Sequence, residues 1–346
     1  MIARAAANGL KVGIRGIGAS VPSRIVSNSE IAELVETSDE WIVERTGIRE
    51  RRVAEPGVGA SELAVPAARD ALRAAQVDAS SLDLVIVATI TPDMPFPATA
   101  AFLADELGAG KVAAYDLQAG CTGFVYALSQ AYGSIAAGLA KRVLVVGVDL
   151  LTKYLDWHDR GTCVLFGDGA GAAVVETVGE GGFLGFELGN DGSHADDLCV
   201  PAGGTRAPAT TATVDQKLHT MRMNGREVFK FATRVMVTSA ERVLGIAGMQ
   251  PEDVDLYAPH QANKRIIDHA VRQLGIPSER VILNVDRYGN TSAASIPICL
   301  AESLRNGMLR PGTTLLMTGV GTGLSWGSAL MVWGDAVSGS HDGARG

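Results

Sequence analysis

The chain has 346 residues, of which 47% are hydrophobic and 20% are charged, and its formal net charge at pH 7 is −8. This length predicts about two domains with a large core, while the composition and charge exclude disordered and fibrous proteins and argue against general nucleic-acid binding. The four cysteines lie far apart without a CxxC pair and the six histidines have neither HExxH nor HxH spacing, so we expect a reducing cytoplasm, no disulfide framework and no metal site.

Strand and helix patterns alternate through the first half of the chain. The apolar run 12–19 is typical of a first strand, and the segment before it is too short for a targeting peptide. The patterns that follow predict, in order, helix 29–45 with a capping box at 37–40, helix 61–75, strand 83–88, helix 98–107, strand 112–117 and strand 142–147. This alternation predicts a largely parallel sheet. Three prolines, Pro92, Pro95 and Pro97, predict a loop that cannot be regular sheet.

The glycine-rich run 167–171 predicts a turn before a strand over 172–177. Because the run lacks GxGxxG spacing, close packing of backbones explains these glycines better than a nucleotide site. From Gly179 to His219 the sequence turns irregular, with clusters of Gly, Pro, Thr and Asp. We expect the domain boundary in this stretch.

Cys121 stands where a predicted strand turns into an uncharged apolar helix. No residue from 117 to 140 is Asp, Glu, Lys, Arg or His. The segment also contains Gln118 and Gln130, so a helix buried inside the protein is favoured over a membrane span. A helix N-terminus lowers a thiol pKa and leaves N–H groups free for an oxyanion, which makes Cys121 a candidate nucleophile. An inert core cysteine is the alternative reading of this residue alone.

The second half of the chain echoes the first. The pattern at 83–86 returns at 255–258, and Asp116 has a counterpart in Asp286 at nearly the same spacing. An internal repeat of this kind predicts two similar halves.

Each half enters an uncharged helix, and the second one is predicted over 288–301. Two such helices can pack against each other between two sheets. Pro297 conflicts with a helix interior, so we expect a kink or a late helix start there.

Duplicated halves create a cleft in which strand ends gather functional groups. His260 and Asn290 both follow predicted strands of the second half, where they would meet Cys121. Taken singly, His260 is as often a structural histidine as a catalytic one, and Asn290 is more often a turn residue.

Five short motifs occur in a fixed order along the chain. They are TSDEWIVERTGI at 37–48, GCTGF at 120–124, FGDGA at 166–170, HQAN at 260–263 and GNTS at 289–292. In these motifs the chain resembles the thiolase-fold condensing enzymes, most closely the β-ketoacyl-acyl-carrier-protein synthase III family, from about Val12 to Trp333. The resemblance implies an α/β class with a thiolase-like duplicated fold, layered αβαβα with two buried central helices.

The repeat and the resemblance together predict the domain organisation. We expect an amino-terminal half over 12–180 that carries the nucleophilic cysteine, an irregular connecting region over 181–219, a carboxy-terminal half over 220–335 that carries the histidine and asparagine, and a flexible tail over 336–346.

The resemblance also implies a reaction, a decarboxylative Claisen condensation that initiates fatty acid biosynthesis. Cys121 would take the acyl group of an acyl-CoA, with its own N–H and one at Thr322 in the 319–323 loop as oxyanion hole. His260 and Asn290 would then hold the thioester carbonyl of malonyl-acyl-carrier protein. Neither a cofactor nor a metal is implied.

Three alternatives to this reaction remain. The first is a pathway-specific starter ketosynthase or acyltransferase of polyketide or secondary metabolism, and the second is a non-catalytic subunit that binds acyl chains or carrier protein. The third, a thiolase proper, is disfavoured because no second cysteine follows Cys299.

Further roles are implied residue by residue. Trp41 and Arg160 would stack on the CoA adenine and Arg45 would reach its phosphates, while Gly225, Phe229 and Asn263 would line the pantetheine channel. Phe96 would limit acyl length from across a homodimer interface, and Val320 stands in the acyl pocket where a phenylalanine is common. Lys230, Arg265 and Arg272, with Arg234 nearby, would attract acyl-carrier protein. Ordinary packing is the alternative for Trp41 and Phe96. A solvated surface is the alternative for Arg45, Arg160, Arg234 and Arg272, whereas Lys230 and Arg265 match family positions.

Overall fold

The computed structural model describes residues 1–4 and 9–334. Within these ranges the strands are β1 (Ile2–Arg4), β2 (Val12–Ser20), β3 (Ile25–Ser27), β4 (Glu50–Arg52), β5 (Leu84–Ala88), β6 (Ala113–Leu117), β7 (Arg142–Leu150), β8 (Asp168–Thr177), β9 (Gly182–Asn190), β10 (Leu198–Cys199), β11 (Arg222–Met223), β12 (Leu256–Pro259), β13 (Thr314–Gly321) and β14 (Ser325–Val332). The α-helices are α1 (Asn28–Ala32), α2 (Asp39–Thr46), α3 (Ala60–Ala75), α4 (Thr99–Glu106), α5 (Gly123–Ala136), α6 (Arg160–Cys163), α7 (Thr211–Asp215), α8 (Gly225–Ala247), α9 (Lys264–Leu274), α10 (Val285–Tyr288) and α11 (Ser295–Arg305).

Two five-stranded sheets form the frame, with strand orders β2-β8-β7-β5-β6 and β1-β9-β14-β13-β12. In the first sheet β5 runs parallel to β6 and β7, whereas β8 runs antiparallel to β7 and β2. In the second sheet only β12 and β13 pair in parallel. The prediction of a largely parallel sheet is therefore wrong. A short turn joins β13 to β14, and such a connection needs no helical crossover.

The two sheets repeat one pattern of strand directions. The series β2-β8-β7-β5 and the series β9-β14-β13-β12 each contain two antiparallel pairs followed by one parallel pair. The internal repeat predicted from the sequence is thus confirmed by the topology.

Three buried apolar clusters separate the layers. One lies between α3, α4 and the outer face of the first sheet, and another lies between α8, α9 and the second sheet. The largest lies between the sheets and contains the buried faces of α5 and α11. The order is therefore helix, sheet, helix, sheet, helix, and the predicted αβαβα layering with two buried central helices is confirmed.

Pro297 is the third residue of α11. In the first turn of a helix an N–H has no intrahelical partner, so the missing donor of proline removes no hydrogen bond. The predicted late helix start is confirmed.

The prediction that the glycine-rich run 167–171 is a turn before a strand is wrong, because β8 already begins at Asp168. Its glycines instead allow α11 to approach the sheet. A Cβ on Gly169 would lie 2.8 Å from Ile298 Cδ1, and one on Gly171 would lie 2.6 Å from Pro297 Cβ.

We expect Gly171→Ala to destabilise the protein by about 1–3 kcal/mol, because the added methyl group overpacks a rigid proline in the core. Urea unfolding measures this change. Gly133→Ala is the matched control, since Gly133 is an exposed position of α5 with no atom within 4 Å of the added Cβ. That change is expected to stabilise by about 0.5–1 kcal/mol through helix propensity. Equal stabilities for the two variants would contradict the packing argument.

Three further sequence predictions need correction. Helix 29–45 is broken into α1 and α2, and Ser38 caps α2 by accepting from the backbone N–H of Trp41. The stretch 181–219 is not irregular throughout, since Gly182–Asn190 is a strand of the second sheet. Asp286 lies in a short helix rather than at the end of a strand. The division into halves stays a prediction, and the tail 336–346 lies outside the described residues.

Candidate active site

Cys121 lies in the short 3-10 turn Gly120–Thr122, between β6 and the start of α5. It is 5% exposed. Burial raises the pKa of the Cys121 thiol to about 12, partly opposed by the Ser292 hydroxyl and the residue's own N–H. The prediction of a lowered thiol pKa is therefore wrong, because burial outweighs the favourable position at a helix start. A protonated thiol needs a proton acceptor before it can act as a nucleophile.

The cysteine turn and the end of β13 approach each other backbone to backbone. Gly120 has a φ of 55°, and a Cβ on it would lie 2.7 Å from the Thr322 backbone nitrogen. A Cβ on Gly321 would lie 2.5 Å from the Cys121 backbone nitrogen. The peptide groups predicted as an oxyanion hole are thus neighbours, and their role stays a prediction.

His260 directly follows β12. Its backbone N–H donates to the Thr318 carbonyl at 2.8 Å, and its ring Nδ1 lies 2.6 Å from Ser295 Oγ. The same hydroxyl oxygen accepts from the backbone N–H of Gln261 at 3.4 Å. When the hydroxyl donates its proton to Nδ1, the ring proton lies on Nε2. Burial lowers the pKa of His260 to about 3, so the ring is neutral near pH 7.

The prediction that Asn290 directly follows a strand is wrong, because Asn290 follows α10. Its backbone pairs with the segment before β8: its N–H donates to the Leu165 carbonyl at 2.9 Å, and its carbonyl accepts from Gly167 at 3.0 Å. A side chain on Gly167 would lie 2.3 Å from the Tyr288 carbonyl oxygen, which explains the glycine. Asn290 Oδ1 accepts from the Ser292 N–H at 2.9 Å, so its Nδ2 is left to donate elsewhere.

One cavity brings the three predicted residues together. Cys121, His260 and Asn290 all line it, and so do Val320, Phe229 and Asn263. The space accessible to water-sized molecules is about 100 Å³. The cavity joins one thiol to two neutral polar side chains within mostly apolar walls, which suits chemistry on a thioester. Gly225 also lines it.

The residues predicted at the CoA nucleotide, Trp41, Arg45 and Arg160, do not line this cavity. The Arg160 guanidinium carbon lies 5.0 Å from the Trp41 ring centroid, so these two side chains stack on each other. Arg45 is exposed at the end of α2, and its carbonyl accepts from Asn263 Nδ2 at 3.2 Å. Their contact with CoA stays a prediction.

The predicted carrier-protein residues lie on α8 and α9. Lys230, Arg265 and Arg272 are all exposed. The Arg265 guanidinium carbon also lies 5.5 Å from the centroid of the Phe229 ring, next to the cavity. Phe96 is 84% exposed and does not line the described cavity of its own chain. Its acyl-limiting role therefore stays a prediction that requires a second chain.

Sequence reasoning missed Ser295 and Ser292. Both hydroxyls are buried in the region that opens α11, and a buried hydroxyl in an apolar helix needs a partner. The need for a partner was the signal that the sequence offered. The partner of Ser295 is His260, which belongs to a different segment of the chain.

Membrane-spanning helices and metal-binding clusters are both absent from the described residues. No helix there is long and apolar enough to span a bilayer. Within the same ranges, no group of three or more His, Cys, Asp or Glu side chains is arranged to hold a metal ion.

Comparison with known proteins agrees with this architecture. The chain matches the family 3-oxoacyl-[acyl-carrier-protein (ACP)] synthase III over residues 115–192 and the C-terminal part of that family over 244–333. It is 52% identical over 325 residues to β-ketoacyl-[acyl-carrier-protein] synthase III of Desulfitobacterium hafniense strain Y51, which covers 94% of this chain and 98% of the relative. The Symbiobacterium thermophilum protein of the same name is also 52% identical, over 93% of this chain and 98% of its own length.

Solved structures give the same result. The Thermus thermophilus synthase III structure has a TM-score of 0.86 at 49% identity. The match covers 94% of this chain and 100% of the Thermus chain. The priming β-ketosynthase of the R1128 polyketide pathway has a TM-score of 0.87 at 37% identity and covers 94% of this chain and 97% of its own. On its sequence and its thiolase-like fold, this chain belongs to the β-ketoacyl-acyl-carrier-protein synthase III family of acyltransferase enzymes.

Proposed function

We propose that the protein condenses an acyl-CoA primer with malonyl-acyl-carrier protein and so initiates fatty acid biosynthesis. The observation that carries this proposal is the shared cavity of Cys121, His260 and Asn290. A nucleophile and two neutral hydrogen-bond donors are the groups that an acyl-enzyme condensation needs.

In the first half-reaction the Cys121 sulfur attacks the thioester carbonyl of acyl-CoA. The oxyanion is stabilised by the N–H groups of Cys121 and Thr322, which lie beside each other across Gly120. CoA then leaves, and the acyl group stays on the sulfur.

In the second half-reaction His260 Nε2–H and Asn290 Nδ2–H donate to the thioester carbonyl of malonyl-acyl-carrier protein. Loss of carbon dioxide forms an enolate on that carbonyl, and its carbon attacks acyl-Cys121. Because burial lowers the pKa of His260 to about 3, the ring donates a hydrogen bond without acting as an acid that would quench the carbanion.

The pantetheine arm of the substrate would enter along the wall formed by Gly225, Phe229 and Asn263. Trp41, Arg45 and Arg160 would contact the nucleotide part of CoA. The exposed cations Lys230, Arg265 and Arg272 would attract the acidic carrier protein. We also propose a homodimer, in which the exposed Phe96 ring of one chain would limit acyl length in the cavity of the other.

A starter ketosynthase of polyketide metabolism is the second candidate, favoured by the similarity to the R1128 priming enzyme. It would use the same chemistry with another primer. A dedicated acyltransferase would acylate Cys121 without releasing carbon dioxide.

Intact-protein mass spectrometry tests the proposal. The protein is incubated with acetyl-CoA or longer acyl-CoAs and then with malonyl-acyl-carrier protein. We expect the acyl mass to appear and then disappear as carbon dioxide and a β-ketoacyl-carrier product form. The preferred acyl-CoA donor distinguishes a synthase III of fatty acid biosynthesis from a polyketide starter ketosynthase. Acylation without carbon dioxide release would indicate an acyltransferase.

Ser295→Ala should slow condensation by about tenfold and leave acylation by acyl-CoA unchanged. The variant removes the hydroxyl at 2.6 Å from His260 Nδ1, so the Nε2–H tautomer is no longer fixed. ¹⁵N NMR of the imidazole reports the tautomer directly. A variant ring that still carries its proton only on Nε2 would contradict this role of Ser295.

A further inference from the structure

Ser292 combines two features that are unusual in a buried serine. Its φ is 51°, in the left-handed region that non-glycine residues rarely adopt. It is fully buried at 0% exposure, and its hydroxyl makes no hydrogen bond of standard geometry. A strained backbone and an unpartnered hydroxyl each destabilise the fold. Together at one buried residue, two positions after the cavity-lining Asn290, they indicate a function.

Ser292 directly precedes Ala293, whose backbone N–H donates to Asp149 Oδ2 at 3.3 Å. Against the larger effect of burial, the Ser292 hydroxyl lowers the pKa of two titratable groups, the thiol of Cys121 and the carboxyl group of Asp149. Asp149 is the next-to-last residue of β7 and is fully buried. A hydroxyl both accepts and donates a proton, so Ser292 can connect the thiol to the carboxylate.

Asp149 is surrounded by donors. Its carboxylate accepts from Thr89 Oγ1 at 3.1 Å, Ile90 N at 2.8 Å, Thr91 Oγ1 at 3.0 Å and Ala293 N at 3.3 Å. The two threonine oxygens themselves accept backbone N–H groups at 3.1 and 2.8 Å, which directs their protons to Asp149. These hydrogen bonds favour the ionised carboxylate and oppose the effect of burial, and lone pairs are still available on Oδ2.

No other charged group competes at this position. Within the described ranges no ion pair involves Asp149. Burial raises the pKa of Tyr154, which keeps that phenol neutral, and burial lowers the pKa of His260 to about 3. Burial also raises the pKa of Asp149 despite its donors, and this brings the carboxyl group closer to the thiol in proton affinity.

We propose that Asp149, acting through the Ser292 hydroxyl, holds the Cys121 proton while the cysteine carries an acyl group. This inference rests on the proposed function, in which Cys121 is acylated. Asp149 is a positioning residue for the proton, since it acts through Ser292 and contacts no substrate.

The proton balance closes over both half-reactions. On acylation, the thiol proton passes to Ser292 while the Ser292 proton passes to Asp149, the sulfur–acyl bond forms, and CoA leaves as thiolate to be protonated by solvent. On condensation, the enolate carbon bonds to the acyl carbon and the sulfur–acyl bond breaks. The Cys121 thiolate then recovers its proton from Asp149 by the reverse route.

Ser292→Gly tests this relay, because glycine suits a φ of 51° and should not impair folding. Single-turnover acylation by acetyl-CoA and alkylation by iodoacetamide are measured from pH 6 to 9. The wild type is expected to vary little between pH 6 and 8. The variant should slow about tenfold for each pH unit lowered, since only spontaneously formed thiolate reacts, and should be about 10²-fold slower at pH 7.

Ser303→Ala is the matched control. Like Ser292, Ser303 is fully buried with an unpartnered hydroxyl, but it lies within α11 and not next to the Asn290 segment. This variant should keep the wild-type profile. Matching profiles and rates for Ser292→Gly and the wild type would overturn the relay. If no acyl-CoA acylates the wild type, the proposed function fails, and the iodoacetamide profiles still decide the relay separately.

Discussion

Cys121→Ala is expected to abolish acyl-enzyme formation with every acyl-CoA and to lower the overall condensation rate on the order of 10⁴-fold or more. Alanine has no atom that can bond to the acyl carbon, and no other cysteine lines the same cavity. Intact-protein mass after incubation with acyl-CoA checks the first effect, and carbon dioxide release checks the second.

The matched control for this prediction is Cys163→Ala. Cys163 is fully buried in a separate apolar cluster with Ile42 and Ile48, so its loss should affect stability and spare acylation. Retained acyl mass on Cys121→Ala would identify a different nucleophile. A loss of acylation in Cys163→Ala, with folding intact, would equally oppose the assignment.

Much of the fold was predictable because the chain repeats itself. The two uncharged segments contribute most of α5 and the first part of α11, and their lack of charge predicts largely buried helices. Two halves with one such helix each lead to a layered arrangement. Strand direction was not predictable from the same signals. An apolar strand such as β14 reads alike in either direction, and only the short turn after β13 makes it antiparallel.

The candidate site was predictable at the level of residue types. Cys121, His260 and Asn290 were recognised by motif, and the cavity brings them together. Their chemical states depend on surroundings that only the fold supplies. The pKa of Cys121 rises to about 12 through burial, whereas its place at a helix start suggested a lower pKa.

Groups behind the site carried still weaker signals. Ser292 reads as an ordinary helix-start serine until its left-handed φ and its neighbours are known. Asp149 closes an apolar strand and could equally have faced solvent. In the structure its carboxylate joins the loop after β5 to the start of α11 through hydrogen bonds from both.

His260→Ala and Asn290→Ala are expected to separate the two half-reactions. Both variants should form acyl-Cys121 at near wild-type rates, because neither side chain contributes to the proposed oxyanion hole. Each should release carbon dioxide from malonyl-acyl-carrier protein about 10²–10³-fold more slowly, since one of two donors to the enolate oxygen is lost.

The double variant gives the sharper test. Two donors to one carbonyl oxygen act as a unit. The fold-decrease in the condensation rate of the double variant should therefore be smaller than the product of the fold-decreases of the two single variants. Asn306→Ala is a suitable control, because its side chain only accepts from the Met308 backbone on the surface. Single-turnover mass spectrometry and radiolabelled carbon dioxide release measure the two steps separately. If acylation fell as steeply as decarboxylation in either single variant, that residue would serve the cysteine rather than the enolate.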